Sequence, residues 1–405
     1  MKFFPLFYLS IVLVTPSRAE PGVVVTLDSV ARRVRADNPQ LAAARLAIAE
    51  AVGRARQSGR LQNPDFEVSL EHNERFSERG IQFGLKQKFP VTDRLRLEKK
   101  LGATEIQSAQ KEVAEVANDL VGQARAAAVE VLALRERREL LGRQEALSKE
   151  LAEFVSDSAA KGEGSTLDAG QARLAMSKFS TEVRRLGAEE QRMLGELKPL
   201  LGISPGESLT VSGGLPRLDL PAGSDASDRP ALEVARLAVL EAEQQAAIER
   251  TKRYGDVEAG VFAGAQRVVD APEGADKEGI VGVQFTIPLP FWDKNEGNIE
   301  AAEARAERRR KEALALHQDI QLEAEGARSE MLEWAKLARE IEQQLLPQAA
   351  EQTGLAEQAW RNGQGDLLTV LRSREQKLEL AAAQLDALRN FQLARVRYQT
   401  ALGNP

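Results

Sequence analysis

Residues 281–289, with the sequence VGVQFTIPL, decide the fold because an apolar side chain stands at every second position. Val281, Val283, Phe285 and Ile287 share one parity, whereas the other parity carries glycine, glutamine, threonine and proline. Successive side chains of a β-strand point to opposite faces, so this alternation predicts a strand with one apolar and one polar face.

Three further segments alternate in the same way, which predicts four strands at about residues 64–73, 80–90, 255–264 and 279–290. Phe262 breaks the alternation in the third strand. The other apolar positions are Phe66, Val68, Leu70, Ile81, Phe83, Leu85, Phe89, Val257, Ala259, Val261 and Ala263. Each strand is about ten residues long, the length that crosses a bilayer, and the two faces suit lipid and water. A soluble hairpin packed on helices is the alternative.

Four strands cannot close a barrel, and open sheet edges are forbidden in lipid because their backbone groups lack partners. The chain is therefore expected to borrow strands from its own copies, and three copies would supply twelve. The aromatic residues cluster where strands meet helices and predict a membrane-interface belt, formed by Phe89, Tyr254, Phe291 and Trp292.

Long helices are predicted between the strand pairs. Residues 91–198 contain no proline and are rich in strong helix formers, and residues 291–402 repeat this composition with a kink expected at Pro347. Glycine clusters at 161–165 and 363–366 are the only interruptions, so helices of roughly 65 residues are expected on either side. Asp93 and Asp293 are candidate N-caps, the latter in a capping box with Glu296. Asn38 precedes Pro39 as a third cap. A long coiled coil explains the helical part equally well.

The chain also repeats itself. Asn38-Pro39-Gln40-Leu41 recurs as Arg229-Pro230-Ala231-Leu232, 191 positions later, and Gly162, Gly164 and Gly202 recur 201 positions later. The sequence thus predicts a signal at 1–19, a first repeat at 20–202 with helices over 92–201, a linker or equatorial segment at 203–228, and a second repeat at 229–405 with helices over 293–402.

Composition excludes several classes of protein. The 405 residues are 43% hydrophobic and 29% charged, with no cysteine and a formal net charge of -6. A mean hydropathy of -0.34 leaves no room for a bundle of transmembrane helices. Without cysteine, disulfides and thiolate metal sites are excluded, and a pI near 5.5 argues against nucleic acid as a partner.

An export signal is predicted over the first 19 residues, because Lys2 precedes an apolar stretch and small residues stand before a cut after Ala19. No cysteine follows that cut, so no lipid anchor is expected at the new N-terminus. The mature chain is expected to work outside the inner membrane of a Gram-negative envelope.

Enzymatic and metal-binding motifs are not evident in the sequence. His72 and His317 are the two histidines, and neither has neighbours at ligand spacing. No nucleophile-base motif or phosphate-binding loop follows a strand. We expect no catalytic residue, no metal site and no cofactor.

The chain resembles the TolC-type outer-membrane efflux factors over nearly all of the mature sequence. The resemblance is carried by Thr26-Leu27-Asp28, by Asn38-Pro39-Gln40-Leu41, and by the segment 288–297, PLPFWDKNEG. The two glycine-rich segments 162–168 and 363–368 add to it. The proline-aromatic-Asp-Asn-Gly segment looks most like the CzcC-like branch, which serves metal-efflux pumps.

The resemblance implies a fold that is mainly α with membrane β: a homotrimer with a twelve-stranded β-barrel, four strands per chain, continuing into a long α-helical barrel. The chain would be a passive outer-membrane conduit of a tripartite efflux system, with a large periplasmic portion. Its partners would be a periplasmic adaptor (membrane fusion) protein, an inner-membrane pump of the RND type, and outer-membrane lipid. The substrate stays open among metal ions, drugs and polypeptides.

The same resemblance implies that the two glycine-rich reversals form the periplasmic aperture and the adaptor docking site. The residues concerned are Gly162, Gly164, Ser165, Asp168, Gly363, Gly365 and Asp366. Asp168 and Asp366 could ring a pore entrance or could simply cap the helices that follow. The alternative function is a periplasmic coiled-coil adaptor or scaffold without a membrane barrel, and an adaptor should contain a compact β domain.

Overall fold

The computed structural model describes residues 22–75, 77–162, 165–221, 229–270 and 274–405. The predicted signal at 1–19, Gly164, and the last part of the predicted linker, residues 222–228, lie outside the described residues. The helices are α1 (Leu27–Asp37), α2 (Pro39–Gln57), α3 (Arg94–Ala160), α4 (Thr166–Leu200), α5 (Pro230–Thr251), α6 (Glu296–Glu340), α7 (Leu346–Arg361) and α8 (Leu367–Ala401). The strands are β1 (Val23–Thr26), β2 (Asp65–His72), β3 (Arg79–Phe89), β4 (Leu209–Ser212), β5 (Val257–Asp270) and β6 (Gly274–Thr286).

The predicted duplication is confirmed. Each half runs through one helix, an antiparallel hairpin, a long helix, a tight reversal and a returning helix: α2, β2, β3, α3, α4 and then α5, β5, β6, α6, α7, α8. The long helix α3 has 67 residues, about 100 Å at 1.5 Å per residue. The hairpins therefore lie at one end of the molecule and the helix reversals at the other.

The expectation of roughly 65 residues on both sides of each reversal was wrong. The returning helices α4 and α8 have 35 residues each. They stop because Gly202 and Gly403 adopt the left-handed conformation, with φ of 64° and 78°, which ends a helix. At position 202 a Cβ would lie 2.1 Å from the carbonyl oxygen of Asp37, so this helix end has room only for glycine.

Pro347 does not break its helix. A π-helical turn, Ile341–Leu345, lies directly before α7 and connects it with α6. Proline lacks the N–H for the normal i→i−4 hydrogen bond, and a π turn shifts the backbone register so that the helix continues.

The caps were predicted in part. Asn38 caps α2, because its Oδ1 accepts a hydrogen bond from the N–H of Leu41 at 2.9 Å. Asp93 precedes α3 but makes no capping hydrogen bond with its side chain. The capping box of Asp293 with Glu296 was wrong, since α6 begins after Asn295.

Asn295 determines that boundary through a tertiary contact. Its backbone is left-handed, with φ of 59°, and its side-chain amide donates to the carbonyl oxygen of Glu249 at 2.9 Å. Asp293 Oδ1 accepts from the N–H of Asn295 at 2.8 Å. The segment that carried the family resemblance thus fastens the start of α6 to the end of α5.

The strands form two sheets. β1 and β4 make a parallel pair within the region predicted as N-terminus and linker, which the sequence did not indicate. The four amphipathic strands form one antiparallel sheet in the order β2-β3-β5-β6. β5 and β6 extend further toward their connecting loop than expected, whereas β6 ends at Thr286, because Pro288 and Pro290 cannot donate to a ladder.

The main core packs α1, α3, α4 and the β1–β4 pair with small and branched side chains, among them Val34, Val121, Leu132, Leu197 and Val211. Arg229 joins the two repeats, because it forms ion pairs with Glu115 on α3 at 3.0 Å and with Glu323 on α6 at 2.9 Å. These ion pairs therefore hold the start of the second repeat against the first.

Candidate functional site

Two surfaces at opposite ends of the molecule carry the sequence-predicted site residues. The first comprises the helix reversals, called the tips below: residues 161–165 between α3 and α4, and residues 362–366 between α7 and α8. The second is the four-stranded sheet.

Each tip turns through a left-handed glycine. Gly162 has φ of 79° and Gly363 has φ of 72°. The N–H of Gly363 donates to Trp360 O at 3.0 Å, and the next N–H, of Gln364, donates to Ala359 O at 2.9 Å. These bonds satisfy the last carbonyls of α7, so the chain reverses within a few residues.

Polar side chains at the tips start the returning helices. Ser165 Oγ accepts from the N–H of Leu167 at 3.2 Å, and Asp168 lies in the first turn of α4. Asp366 Oδ1 accepts from the N–H of Thr369 at 2.9 Å. Hydrogen bonds from the Thr369 side chain and backbone lower the pKa of Asp366. Asp366 is thus a helix cap by geometry, and Asp168 complements the positive helix end.

The two tips lie side by side. Leu151 and Val155 of α3, Ala169 of α4 and Leu367 of α8 form one buried cluster, against which Trp360 packs. The rings of Phe154 and Trp360 meet edge to face with centroids 6.0 Å apart. Because residues from both repeats share this cluster, the tips form a single surface.

A groove of about 1080 Å³ runs beside the tips between α3, α7 and α8. Leu147 and Phe154, 49% and 60% exposed, supply apolar surface, and Arg374 pairs with Glu357 at 2.6 Å within it. The sequence prediction missed this groove. Phe154 and Trp360, two large aromatics on helices rich in Ala, Glu and Lys, were the signal that could have found it.

The sheet confirms the alternation read from the sequence. The register places Phe66, Leu85, Val261 and Val283 in one cross-strand row. Val68, Phe83, Ala263 and Val281 form the next row. We call this side the outward face; its large side chains are exposed, with Val281 at 85% and Phe66 at 68%. An exposed apolar face this continuous needs a non-aqueous environment or a partner.

The opposite face, called the inward face, is polar. Glu67 and Lys86 form an ion pair of 2.5 Å across β2 and β3, and Gln82 and Gln284 share the face. Phe262, which broke the alternation, lies here against Gly282, where a Cβ would come within 2.3 Å of its ring. A glycine on the neighbouring strand therefore makes room for an aromatic ring on the polar side.

The predicted interface aromatics lie where the sheet joins the helices. Phe89, Tyr254, Phe291 and Trp292 are 46%, 55%, 68% and 96% exposed. Phe291 and Trp292 contact each other edge to face, with centroids 6.1 Å apart. Their membrane-interface role stays a prediction.

A half-buried carboxyl lies between α3 and α5. Burial raises the pKa of Glu241, and the negative charges of Glu105 and Glu112 raise it further, whereas the Ser108 hydroxyl and Arg309 oppose the rise. One Glu241 oxygen is buried without a hydrogen-bond partner. Ionisation of Glu241 is therefore less favourable in the folded chain than in water.

The described ranges contain no group of three or more His, Asp or Glu side chains placed to hold a metal ion. His72 is exposed, with its Nδ1 3.0 Å from the carbonyl oxygen of Asn73, and His317 lies on α6. Within the same ranges, no helix has both the length and the apolarity needed to cross a bilayer.

Comparisons with known proteins agree on one family. Residues 225–404 match the family model described as outer membrane efflux protein. The cobalt-zinc-cadmium resistance protein CzcC of Cupriavidus metallidurans is 25% identical over 300 residues, which are 73% of this chain and 67% of CzcC.

Solved structures share the fold. The channel-forming protein CusC superposes with a TM-score of 0.76 at 17% identity, covering 94% of this chain and 92% of CusC. The outer membrane protein VceC of Vibrio cholerae superposes with a TM-score of 0.74 at 19% identity, covering 93% and 96%.

These findings confirm the resemblance inferred from the sequence motifs. Members of this family are channels rather than enzymes. The match to this family's model over residues 225–404, the similarity to CzcC and the shared fold over nearly the whole chain show that the chain is similar to the TolC-type outer membrane efflux proteins.

Proposed function

We propose that the chain acts as a homotrimeric, passive channel of the outer membrane in a tripartite efflux system. The observation that carries the proposal is the continuous apolar outward face of a sheet joined to helices about 100 Å long. The sheet would cross the membrane, and the helices would reach through the periplasm toward an inner-membrane pump, for which we propose the RND type.

The sheet edges support association of several copies, for which we propose three. β2 and β6 each have one neighbour, so each presents an unpaired edge. In lipid such an edge would leave backbone N–H and C=O groups without partners, at a cost of several kcal/mol per group. Pairing β6 of one copy with β2 of the next satisfies both edges, and three copies close a twelve-stranded barrel.

The tips are the proposed docking surface for a periplasmic adaptor. The groove beside them offers exposed leucine and phenylalanine within a charged rim, the composition of a moderately sized protein interface. Replacing Leu147 and Phe154 with serine should abolish co-purification with the adaptor, while the same change at exposed Leu314 and Leu322 on α6 should leave it intact. Equal co-purification of both variants would exclude this surface.

Metal cations are the substrate class we propose. The name of CzcC refers to cobalt, zinc and cadmium resistance, and the inward face of the sheet carries Asp65, Glu67, Glu71 and Glu258, which tolerate cations. Deletion of the gene should raise cellular accumulation of these metals, and accumulation of an organic drug instead would contradict this choice.

The alternative, a periplasmic adaptor or scaffold, is not favoured. Across the described ranges the strands form a two-stranded and a four-stranded sheet, and neither is a compact β domain inserted between helices. Envelope fractionation with crosslinking tests the proposal. A crosslinked trimer in the outer-membrane fraction supports it, and a monomer confined to the soluble periplasm would refute it.

A further inference from the structure

A single row of basic residues crosses the outward face at the end of the sheet farthest from the helices. The register pairs His72 with Arg79, Arg79 with Arg267, and Arg267 with Lys277. One residue comes from each of the four strands, and all four are exposed. We call His72, Arg79, Arg267 and Lys277 the basic row.

Parity places the basic row on the outward face. Arg79 is two residues from Ile81, Arg267 is six from Val261, and Lys277 is six from Val283, each an even number. The row directly below it, Leu70, Ile81, Ala265 and Gly279, belongs to the apolar face. The charges thus border the apolar surface rather than the polar one.

Carboxylates are confined to one face of the described strands. On these strands the acidic residues whose side chains the structure describes all have inward parity, namely Asp65, Glu67, Glu71, Glu258, Asp276 and Glu278. No ion pair among the described residues involves Arg79, Arg267 or Lys277. Arg79, Arg267 and Lys277 therefore lie on the face where the described strand residues include no carboxylate.

The height of the row matches a membrane border. Along β5, ten residues separate Val257, which pairs with Phe89 near the helices, from Arg267. At 3.4 Å per residue and a strand tilt of about 40°, this is about 26 Å along the membrane normal, close to the apolar band of about 25 Å in outer-membrane barrels. The interface aromatics mark one border of that band and the basic row marks the other.

We propose that the basic row binds phosphate groups of the anionic glycolipid in the outer leaflet of the outer membrane. This inference rests on the proposed membrane orientation of the sheet. Guanidinium and ammonium groups at the edge of an apolar surface can extend to the headgroup level while their stems stay on the apolar side, and they attract anionic headgroups. In a trimer the row would repeat three times around the barrel.

The test uses the full chain purified in detergent, with bisphosphorylated lipid A and its dephosphorylated form as probes, and bound lipid measured by native mass spectrometry. Wild type should prefer the phosphorylated form by at least about tenfold in affinity. The triple variant Arg79→Gln, Arg267→Gln, Lys277→Gln should lose that preference. The matched variant Arg32→Gln, Arg56→Gln, Lys111→Gln removes the same charges from exposed helix positions and should retain it.

Equal binding of both lipid forms by wild type, or an unchanged preference in the first triple variant, would overturn the proposal. Insertion of each variant into phosphatidylcholine bilayers, followed by conductance, separates this failure from that of the proposed function. Wild type that conducts but shows no preference for the phosphorylated lipid refutes the lipid site alone. Wild type that does not insert refutes both the lipid site and the proposed function.

Discussion

Lysine substitution on the outward face separates a membrane sheet from a soluble hairpin. Val283 and Phe285 are 69% and 67% exposed in the isolated chain. The double variant Val283→Lys, Phe285→Lys places two charges on that face without touching the inward face.

The expected cost of the two lysines depends on how deep each position lies in the membrane. Val283 lies six residues from Lys277 of the basic row, about 16 Å along the membrane normal and thus near the middle of the apolar band. Lysine there costs about 3 kcal/mol in lipid, and lysine at Phe285, nearer the border, adds about 1 kcal/mol. The sum is about 4 kcal/mol per chain, and about 12 kcal/mol for three copies. On a soluble hairpin the same exposed changes would cost within about 0.5 kcal/mol each.

The assay is the recovery of each variant in the outer-membrane fraction after density-gradient separation. Gln284→Lys is the matched control, because Gln284 lies between the two positions on the inward face, near a lysine already paired with Glu67. The double variant should be absent from the outer membrane and the control present. Wild-type recovery of the double variant would refute the lipid-facing assignment.

Three further outcomes are expected. Gly202→Ala should lower the free energy of unfolding by about 3 kcal/mol, measured by urea unfolding followed by circular dichroism, because position 202 is left-handed and the alanine Cβ would overlap the Asp37 carbonyl. Gly363→Ala should cost only about 1 kcal/mol, because position 363 is left-handed but a Cβ there meets open space. Equal costs for the two variants would contradict the steric reason. Asp366→Ala should speed amide exchange at Thr369 about fivefold at pH 7. Because the pKa of Asp366 is lowered in the folded chain, the stability that this cap contributes is present above the unfolded pKa and is lost as pH falls through the folded pKa. Wild type should therefore exchange faster at Thr369 below pH 4, whereas the variant should not respond to acid, and an acid response in the variant would contradict the cap. Glu241→Gln should raise the free energy of unfolding by about 1 kcal/mol at pH 7.5 and by less near pH 4.5. The reason is that the pKa of Glu241 is raised in the folded chain, so wild type loses stability as pH rises through that pKa. A variant less stable than wild type at pH 7.5 would contradict the cost of burying the Glu241 carboxylate.

Patterns with a fixed period were predictable from the sequence. The strand parity, the duplication and the long helix α3 all follow from alternation and from the absence of proline. The cap at Asn38 was predictable because its partner, Leu41, lies three residues away.

Features that depend on distant partners were not predictable. The capping box at Asp293 obeyed a local rule, but a hydrogen bond from Asn295 to the end of α5 displaced the helix start. Phe262 breaks the alternation of its strand, and only the cross-strand register shows that it packs against Gly282. The basic row likewise consists of four residues scattered over two hundred positions, and only cross-strand pairing aligns them.

The site was predicted at the level of the turns and not of the groove. Glycine spacing indicated both reversals, and in the structure Gly162 and Gly363 adopt the left-handed conformation there. The groove required knowledge that α3, α7 and α8 meet there, which no local pattern encodes.

Alternate labelling along β6 tests the central claim, that this sheet crosses the membrane with lipid on one face and water on the other. The chain has no native cysteine, so single cysteines are unique labels. Position 282 stays glycine, because a Cβ there would overlap the ring of Phe262. In intact outer membranes a water-soluble maleimide should label positions 284 and 286, while 281, 283 and 285 stay protected until detergent removes the lipid. Uniform labelling of these five positions in the absence of detergent would contradict a membrane-crossing sheet.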